Sequence, residues 1–496
     1  MNQQFPPRIL LPALMGALLA GCVTTMAPRY EQPAAPVSAQ WPAESRAGNA
    51  GDSTATVADL PWEALFADAK LRQVVRLALD NNRDLRVAAL NIEKARAQYR
   101  IQRSELMPNV SVDLSGNNGR TTYAMLKGQS VVGHVYTLQL GVSAWELDLF
   151  GRIRSLRDQA LQQYLSSESA QQATRISLIA EVASAYLDLA AAREQLTVAR
   201  DTERSRQEAY DLQLGLRETG NASELEVLQA EAELQVARDE TLVLESTIAT
   251  SRNALELLVG TPLPEALRPD SPLETLLAVQ DVPAGLPSDM LQRRPDILAA
   301  EHTLIAAHAN IGAARAAFFP SISLTGGIGR ASNSLTELFD SGGRAWSFMP
   351  QISVPIFTGG RLSANLDVAK VEREIAVADY ERSIQAAFRE VADALAVRAT
   401  LDGRLAAQQQ RVEAAYHAYH LVQQRYDNGV ASYLEVLDSQ RTLFSAQQTW
   451  ISTRLSRQTN LVTLYKALGG GWSPENAQAP ALSQSYTGEK LPIASR

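Results

Sequence analysis

Cysteine occurs once in the 496 residues, at Cys22, which excludes an intrachain disulfide and a thiolate metal centre. Histidines number five and aromatic residues make up 6% of the chain. His417 and His420 stand three apart with no third ligand in reach, which reads as a solvated face rather than a metal site. Long basic runs are missing and the net charge is −8, or −9 once Arg8 is removed with a leader, so no nucleic-acid partner is expected. A phosphate-cradling loop is missing, as is any long apolar helix beyond the N-terminal run, so power must come from partners. No catalytic constellation stands out, and the chain is expected to be neither an enzyme nor a cofactor or metal carrier. Proline is absent from 152–218 and from 361–427, each 67 residues long and each with a single glycine, Gly215 and Gly403.

The N-terminus does carry a message. Arg8 precedes an apolar run, Ile9 to Ala20, too short for a permanent span but of signal-peptide proportions. It ends in Leu19-Ala20-Gly21-Cys22, which resembles the lipobox of bacterial lipoproteins. The resemblance implies a signal peptide over 1–21 and acyl chains on Cys22, with Val23 in place of Asp implying the outer membrane. Several buried chains anchor stably, at about 0.8 kcal/mol per methylene. Residues 22–60, rich in Pro, Ala, Ser and Gly, read as an extended tether, and 469–496 as a loose tail.

Between these ends the chain contains itself twice. Asn82-Arg83-Asp84-Leu85 and Leu106-Met107-Pro108-Asn109-Val110 recur as Arg294-Pro295-Asp296-Ile297 and Phe318-Phe319-Pro320-Ser321-Ile322, at an offset of 212. Gly220-Asn221-Ala222-Ser223-Glu224-Leu225-Glu226 recurs as Gly429-Val430-Ala431-Ser432-Tyr433-Leu434-Glu435 at 209. Two halves result, 61–286 and 287–468, and a repeat this long is a duplicated domain rather than a solenoid unit.

In each half the proline-free stretch predicts one helix, 152–218 and 361–427, of about 100 Å at about 1.5 Å per residue. Apolar residues three and four apart (Val368, Val371, Ile375; Ile384, Phe388, Val391, Leu395) and frequent alanine suit a coiled-coil or helical-barrel setting. Gly220 and Gly429 end these helices. Ser223-x-x-Glu226 and Ser432-x-x-Glu435 are capping boxes, so shorter helices return over 222–258 and 431–468. The proline-rich segment 260–287 suits a strap about the middle.

Strands are expected near 109–118, 135–145, 321–329 and 347–357. Val110, Val112 and Leu114 alternate with Ser111, Asp113 and Ser115; Tyr136, Leu138, Leu140, Val142 and Ala144 alternate with small or polar residues. Such strands fit a transmembrane barrel with a wet lumen, and Pro350 and Pro355 hint at an edge or bulge. Four strands cannot close a barrel, and open edges in lipid leave backbone groups unsatisfied. The chain must therefore oligomerise, and a water-filled bore favours twelve strands over eight.

These motifs, with Trp145-Glu146-Leu147-Asp148-Leu149-Phe150-Gly151-Arg152, Arg293-Arg294-Pro295-Asp296 and Val354-Pro355-Ile356-Phe357-Thr358-Gly359-Gly360-Arg361, resemble the TolC-type outer-membrane efflux family, in its lipidated OprM-like (NodT) branch, over about Pro61 to Leu468. The resemblance implies a mainly α chain with transmembrane β structure: a homotrimer whose twelve-stranded outer-membrane barrel continues into a periplasmic helical barrel. It implies an exit duct fed by an inner-membrane efflux pump through a periplasmic membrane-fusion adaptor. The hairpin tips at Gly220 and Gly429 would contact the adaptor. By position Leu434 would form an apolar ring, Asp438 an acidic ring, with Glu435 beside it, and Tyr426 would bond Glu226 on the other hairpin. Ala431 stands where relatives carry an arginine. Against these roles, Glu226 and Glu435 serve equally as capping residues, and Asp438 as an ion-pair partner of Arg441. A duct for secreted polypeptide, or a lipid-anchored coiled-coil scaffold without a pore, remains open at this point.

Overall fold

The computed structural model describes residues 25–38, 40–42, 61–123, 129–278, 291, 294–340 and 343–471, without the side chains of 121–123 and 129–131. Cys22, the signal peptide 1–21, most of the tether, Arg293, Pro283, Pro287 and the tail from 472 lie outside the described residues. The chain divides into two compact units: Met1–Pro36, Val87–Gln171 and Asp296–Ile384 form one, and Val37–Arg86, Gln172–Pro295 and Gln385–Arg496 the other.

The first unit is built on an antiparallel sheet in the order β1 (Val110–Tyr123), β2 (Gln129–Leu147), β3 (Ser321–Ser332), β4 (Arg344–Ser353). Its register collects the apolar residues on one face: Val112 opposes Leu140, which opposes Ile328, which opposes Trp346. The opposite face carries Ser115 and Thr137, hydrogen-bonded at 2.6 Å, and Gln139, whose Nε2 donates to Ser347 Oγ at 3.0 Å. That last bond crosses β3 above Gly327, where a Cβ would stand 2.3 Å from Gln139 Nε2.

Strict alternation would put Ala144 in the apolar row and Trp145 among the polar residues. A bulge between Val142 and Trp145 reverses this, with Ala144 at φ 50° and its N–H donating to Thr325 Oγ1 at 2.9 Å. Trp145 and Leu147 thereby join the apolar face, opposite Leu324 and Ile322. β4 stops at Ser353, four residues before the expected 357, because Pro355 has no N–H to continue a ladder. β1 and β2 instead pair as far as Tyr123 and Gln129. β1 and β4 are both edges, each with one side unpaired within the chain.

Residues 25–32 are seated rather than loose. Tyr30 donates to Glu301 Oε1 at 2.8 Å and meets the His308 ring edge-on, while Gln32 reaches Tyr380 Oη at 3.0 Å. Ala27 passes so near Gly312 that a Cβ there would lie 2.7 Å from its N atom.

The helices are α1 (Trp62–Leu65), α2 (Ala69–Asn81), α3 (Arg83–Ser104), α4 (Arg152–Glu218), α5 (Glu224–Val259), α6 (Pro295–Ala316), α7 (Arg361–Asp427) and α8 (Tyr433–Ala467), of which α4 and α7 fill the two proline-free stretches. In the second unit Leu71, Val74, Val75 and Ala78 of α2 are fully buried, as are Leu255 and Val259 of α5. Each such leucine or valine contributes about 1.5–3 kcal/mol by leaving water. The strap after Gly260 folds as two short 3₁₀ turns, Glu265–Leu267 and Leu273–Thr275. Arg454 of α8 fastens it: its guanidinium lies 2.9 Å from Glu194 of α4, pairs with Glu274 of the strap, and covers the Trp450 ring at 4.5 Å. Glu194 also accepts the Leu273 N–H at 2.9 Å. Buried Arg294 holds the end of α8 by donating to the Ala467 carbonyl at 2.8 Å and to Glu390 at 2.9 Å.

Candidate gate at the helical hairpin tips

Both hairpins turn by the same backbone device. After α4, Gly220 adopts φ 80°; its N–H bonds the Arg217 carbonyl at 2.9 Å and the Asn221 N–H bonds Leu216 O at 2.8 Å. After α7, Gly429 adopts φ 73°, with Gly429 N–H to Tyr426 O and Val430 N–H to Arg425 O, both at 2.8 Å. The six-to-one bonds of Asn221 and Val430, with the five-to-two bonds of the glycines, close the helix ends and require the left-handed region that glycine enters without strain. No atom stands within 4 Å of a Cβ built at either glycine, so conformation, not space, selects them.

Each return helix begins in a reciprocal box. Ser223 N–H donates to Glu226 Oε2 at 2.7 Å and Glu226 N–H to Ser223 Oγ at 3.3 Å; Ser432 and Glu435 do the same at 3.0 and 3.4 Å. The Ser432 N–H and hydroxyl hold the Glu435 carboxyl below its ordinary value, with Arg425 adding to the effect.

Between the hairpins lies a small aromatic core. Ala230 of α5 and Tyr433, Val436 and Leu437 of α8 are buried, with Tyr210, Tyr419, Val422 and Tyr426 packed against them. Burial pushes the Tyr433 phenol up to about 12. Tyr426 does not bond Glu226, which is committed to its capping box. Its hydroxyl instead accepts from Gln213 Nε2 at 2.6 Å, and Gln213 is 1% exposed. Deeper in, buried Arg206 donates to the Glu233 carbonyl at 2.8 Å and lies 3.1 Å from the Glu233 carboxylate.

Leu434 and Asp438, one turn apart on α8, are both open: Leu434 is 54% exposed and the Asp438 side chain 78%. Arg441 lies 3.7 Å from Asp438 and 3.8 Å from Glu233, so it divides itself between them. His417 and His420 sit exposed beside Tyr416, whose ring meets His420 edge-on at 4.3 Å. Gln213, Arg206 and Glu233 do not emerge from local patterns. The repeat holds one signal for Gln213, since its counterpart 209 residues on is the apolar Val422.

Known proteins share this fold. The family model described as "Outer membrane efflux protein" matches residues 74–261 and 286–470, one segment in each half. A toluene efflux pump outer membrane protein, TtgC of Pseudomonas putida, is 48% identical over 474 residues, covering 95% of this chain and 97% of the relative. Outer membrane protein OprJ of Pseudomonas aeruginosa is 45% identical over 469 residues, covering 94% and 96%. Among solved structures, the open state of the Neisseria gonorrhoeae MtrE outer membrane channel superposes with a TM-score of 0.82 at 40% identity, over 90% of this chain and 98% of that one. A duplicated sheet-and-hairpin chain that aligns with such channels over nine-tenths of its length belongs, as its motifs implied, to the outer membrane efflux protein family, and it works in the outer membrane.

Proposed function

We propose that this chain is the exit duct of a tripartite efflux system, a homotrimer that takes small molecules from an inner-membrane pump and a periplasmic adaptor. The observation that carries this is the four-stranded sheet with one apolar face and two unpaired edges. Three copies joined β4 to β1 close twelve strands, satisfy every edge in lipid and leave a polar bore. The relatives' names, which speak of toluene, solvent and antibiotic efflux, favour small, largely apolar cargo. An acylated Cys22 would add a lipid anchor.

The gate is assigned to the tips. Leu434 and Asp438 have no packing partner that buries them in the single chain. Around a threefold axis they supply an apolar and an acidic ring, with Glu435 beside them. Three carboxylates on one axis repel, bind cations and make the pore cation-selective. The adaptor contact is assigned to the turns at Gly220 and Gly429.

Single-channel conductance of the purified protein in a planar bilayer tests the reading. Small cation-selective currents that grow in Glu435→Ala/Asp438→Ala are expected. Ser432→Ala, which loosens the cap but keeps both charges, separates gating from helix capping. No current from a well-folded oligomer, wild type or variant, would overturn the duct.

A further inference from the structure

The apolar face of the sheet ends in arginines. Along β4, Ile352, Pro350, Phe348, Trp346 and Arg344 share that face, and Trp346 is 79% exposed. Arg344 stands directly opposite Arg330 of β3, and the same level continues through Leu138 to Leu114. Eight residues separate Ile352 from Arg344, about 26 Å at about 3.3 Å per residue, or about 20 Å along the membrane normal at a tilt near 40°. An apolar band about 25 Å tall therefore ends at this pair. The end is the outer one, since α3, α4, α6 and α7 all join the strands at the opposite side. Beyond it on the same face follow His134, bonded to Asn118, and Arg120.

Like charges directly opposite each other in a sheet are destabilising, and this face of the described strands carries no Asp or Glu to relieve them. Glu337 and Asp340 are the acids of the β3–β4 connection, and among the described residues neither carboxylate forms an ion pair with Arg330 or Arg344. Arg330 gives only its Nη1 to the main chain, in hydrogen bonds to the carbonyls of Phe339 at 2.5 Å and Asp340 at 2.7 Å, and its Nε and Nη2 pair with no acid among the described residues. Arg344 is exposed, two positions from exposed Trp346 on the same face. An aromatic side chain at the apolar boundary with guanidinium groups just beyond it matches an interface where phosphate oxygens sit.

We propose that Arg330 and Arg344 form a binding site for the phosphate-bearing headgroup of an anionic outer-leaflet lipid, with Ile328, Trp346 and Phe348 receiving its acyl chains. Two adjacent guanidinium groups offer a phosphate paired, charge-assisted donors, and the bound anion removes their mutual repulsion. The proposal rests on this face meeting lipid.

Native mass spectrometry of the purified protein, titrated with bis-phosphorylated lipid A or with phosphatidylcholine, tests it. One lipid A per chain is expected, bound about fivefold more weakly by Arg344→Gln and about 25-fold by Arg330→Gln/Arg344→Gln. Arg344→Lys should recover most of the loss, and phosphatidylcholine should be unaffected throughout. Because Arg330 also holds the connection, the single Arg344 variant is the deciding one. Equal retention of lipid A by wild type and Arg344→Gln overturns the site. Displacement of lipid A by millimolar inorganic phosphate assigns the arginines to a soluble anion and overturns it as well. Failure of the wild type to retain either lipid would count against the lipid-facing assignment itself.

Discussion

Tyr426→Phe is the most informative change at the tips, because it deletes one atom and leaves the packing intact. The phenolic oxygen accepts from Gln213 Nε2 at 2.6 Å, and the Gln213 Oε1 atom already has no hydrogen-bond partner. Without the hydroxyl, the whole amide is buried and unsatisfied at 1% exposure. A stranded buried polar group costs about 1–3 kcal/mol, whereas replacing both partners by apolar groups is nearly neutral. Tyr426→Phe should therefore open the tip more often, with amide hydrogen exchange about 5- to 150-fold faster around both turns. Gln213→Leu/Tyr426→Phe should recover most of that loss. The assay is exchange read by mass spectrometry on peptides covering 205–230 and 419–440, with 62–81 of the second unit as internal reference. If the double variant costs the sum of the singles, the two side chains are uncoupled and the latch does not exist.

Ser432→Ala should destabilise the start of α8 by about 1 kcal/mol, and Ser223→Ala the start of α5 by a similar amount, seen as faster exchange in the first turns. The Glu435 carboxyl lies below its ordinary value when folded, so its contribution is present at neutral pH and is lost as pH falls through the lowered value. Exchange in that turn should rise there in the wild type and show no such step in Glu435→Gln. Gly429→Ala forces a Cβ into φ 73° and should cost about 1–2 kcal/mol, with Gly429→Asn milder, by the same exchange assay. Arg454→Met leaves Glu194 and Glu274 without their shared cation. It should destabilise the fold by an amount near the lower end of about 3–5 kcal/mol, since the Glu274 side chain is half exposed, read as a fall in the thermal midpoint of unfolding.

Much of this architecture is local chemistry. Helices α4 and α7 were legible because proline is missing inside them and a glycine followed by a capping box closes each. Those signals act within a few residues, and they fix where a helix ends. The strands were legible from alternation, but alternation has no term for a bulge. Alanine is not a turn residue that announces a positive φ, so period two keeps Ala144 in the apolar row, where the structure continues with Trp145. The expectation for the last strand lies too far along the chain because its apolar residues run past Pro355, and a missing N–H outranks hydrophobicity in a ladder. Residues 25–32 read as a tether from composition, yet Tyr30 and Gln32 find Glu301 and Tyr380. Partners some 270 and 350 residues away leave no mark on a local window, and the same holds for Gln213 and Tyr426.

The duplication also shows where the two tips ceased to be equivalent. At the offset of 209, Arg217 corresponds to Tyr426 and Glu224 to Tyr433. In the first hairpin this position is an ion pair at 2.8 Å, with side chains 42% and 65% exposed. In the second it is a ring pair with centroids 5.7 Å apart, and Tyr433 is buried. The backbone device was kept in both copies, glycine turn and capping box alike, while the chemistry across the turn changed from solvated to buried. A solvated pair contributes little stability and stays free to exchange partners, whereas a buried ring pair commits its hairpin to the neighbour it packs on. The second hairpin is thus held by the first through Gln213, Ala230 and Tyr210. The first hairpin keeps a charged turn facing outward. If the adaptor contact lies at the tips, its polar, exchangeable part falls on Arg217 and Glu224 rather than on their aromatic counterparts. If the gate also lies there, opening it must break the contacts of the second hairpin, whose turn region is tied down by Gln213 and the buried ring pair.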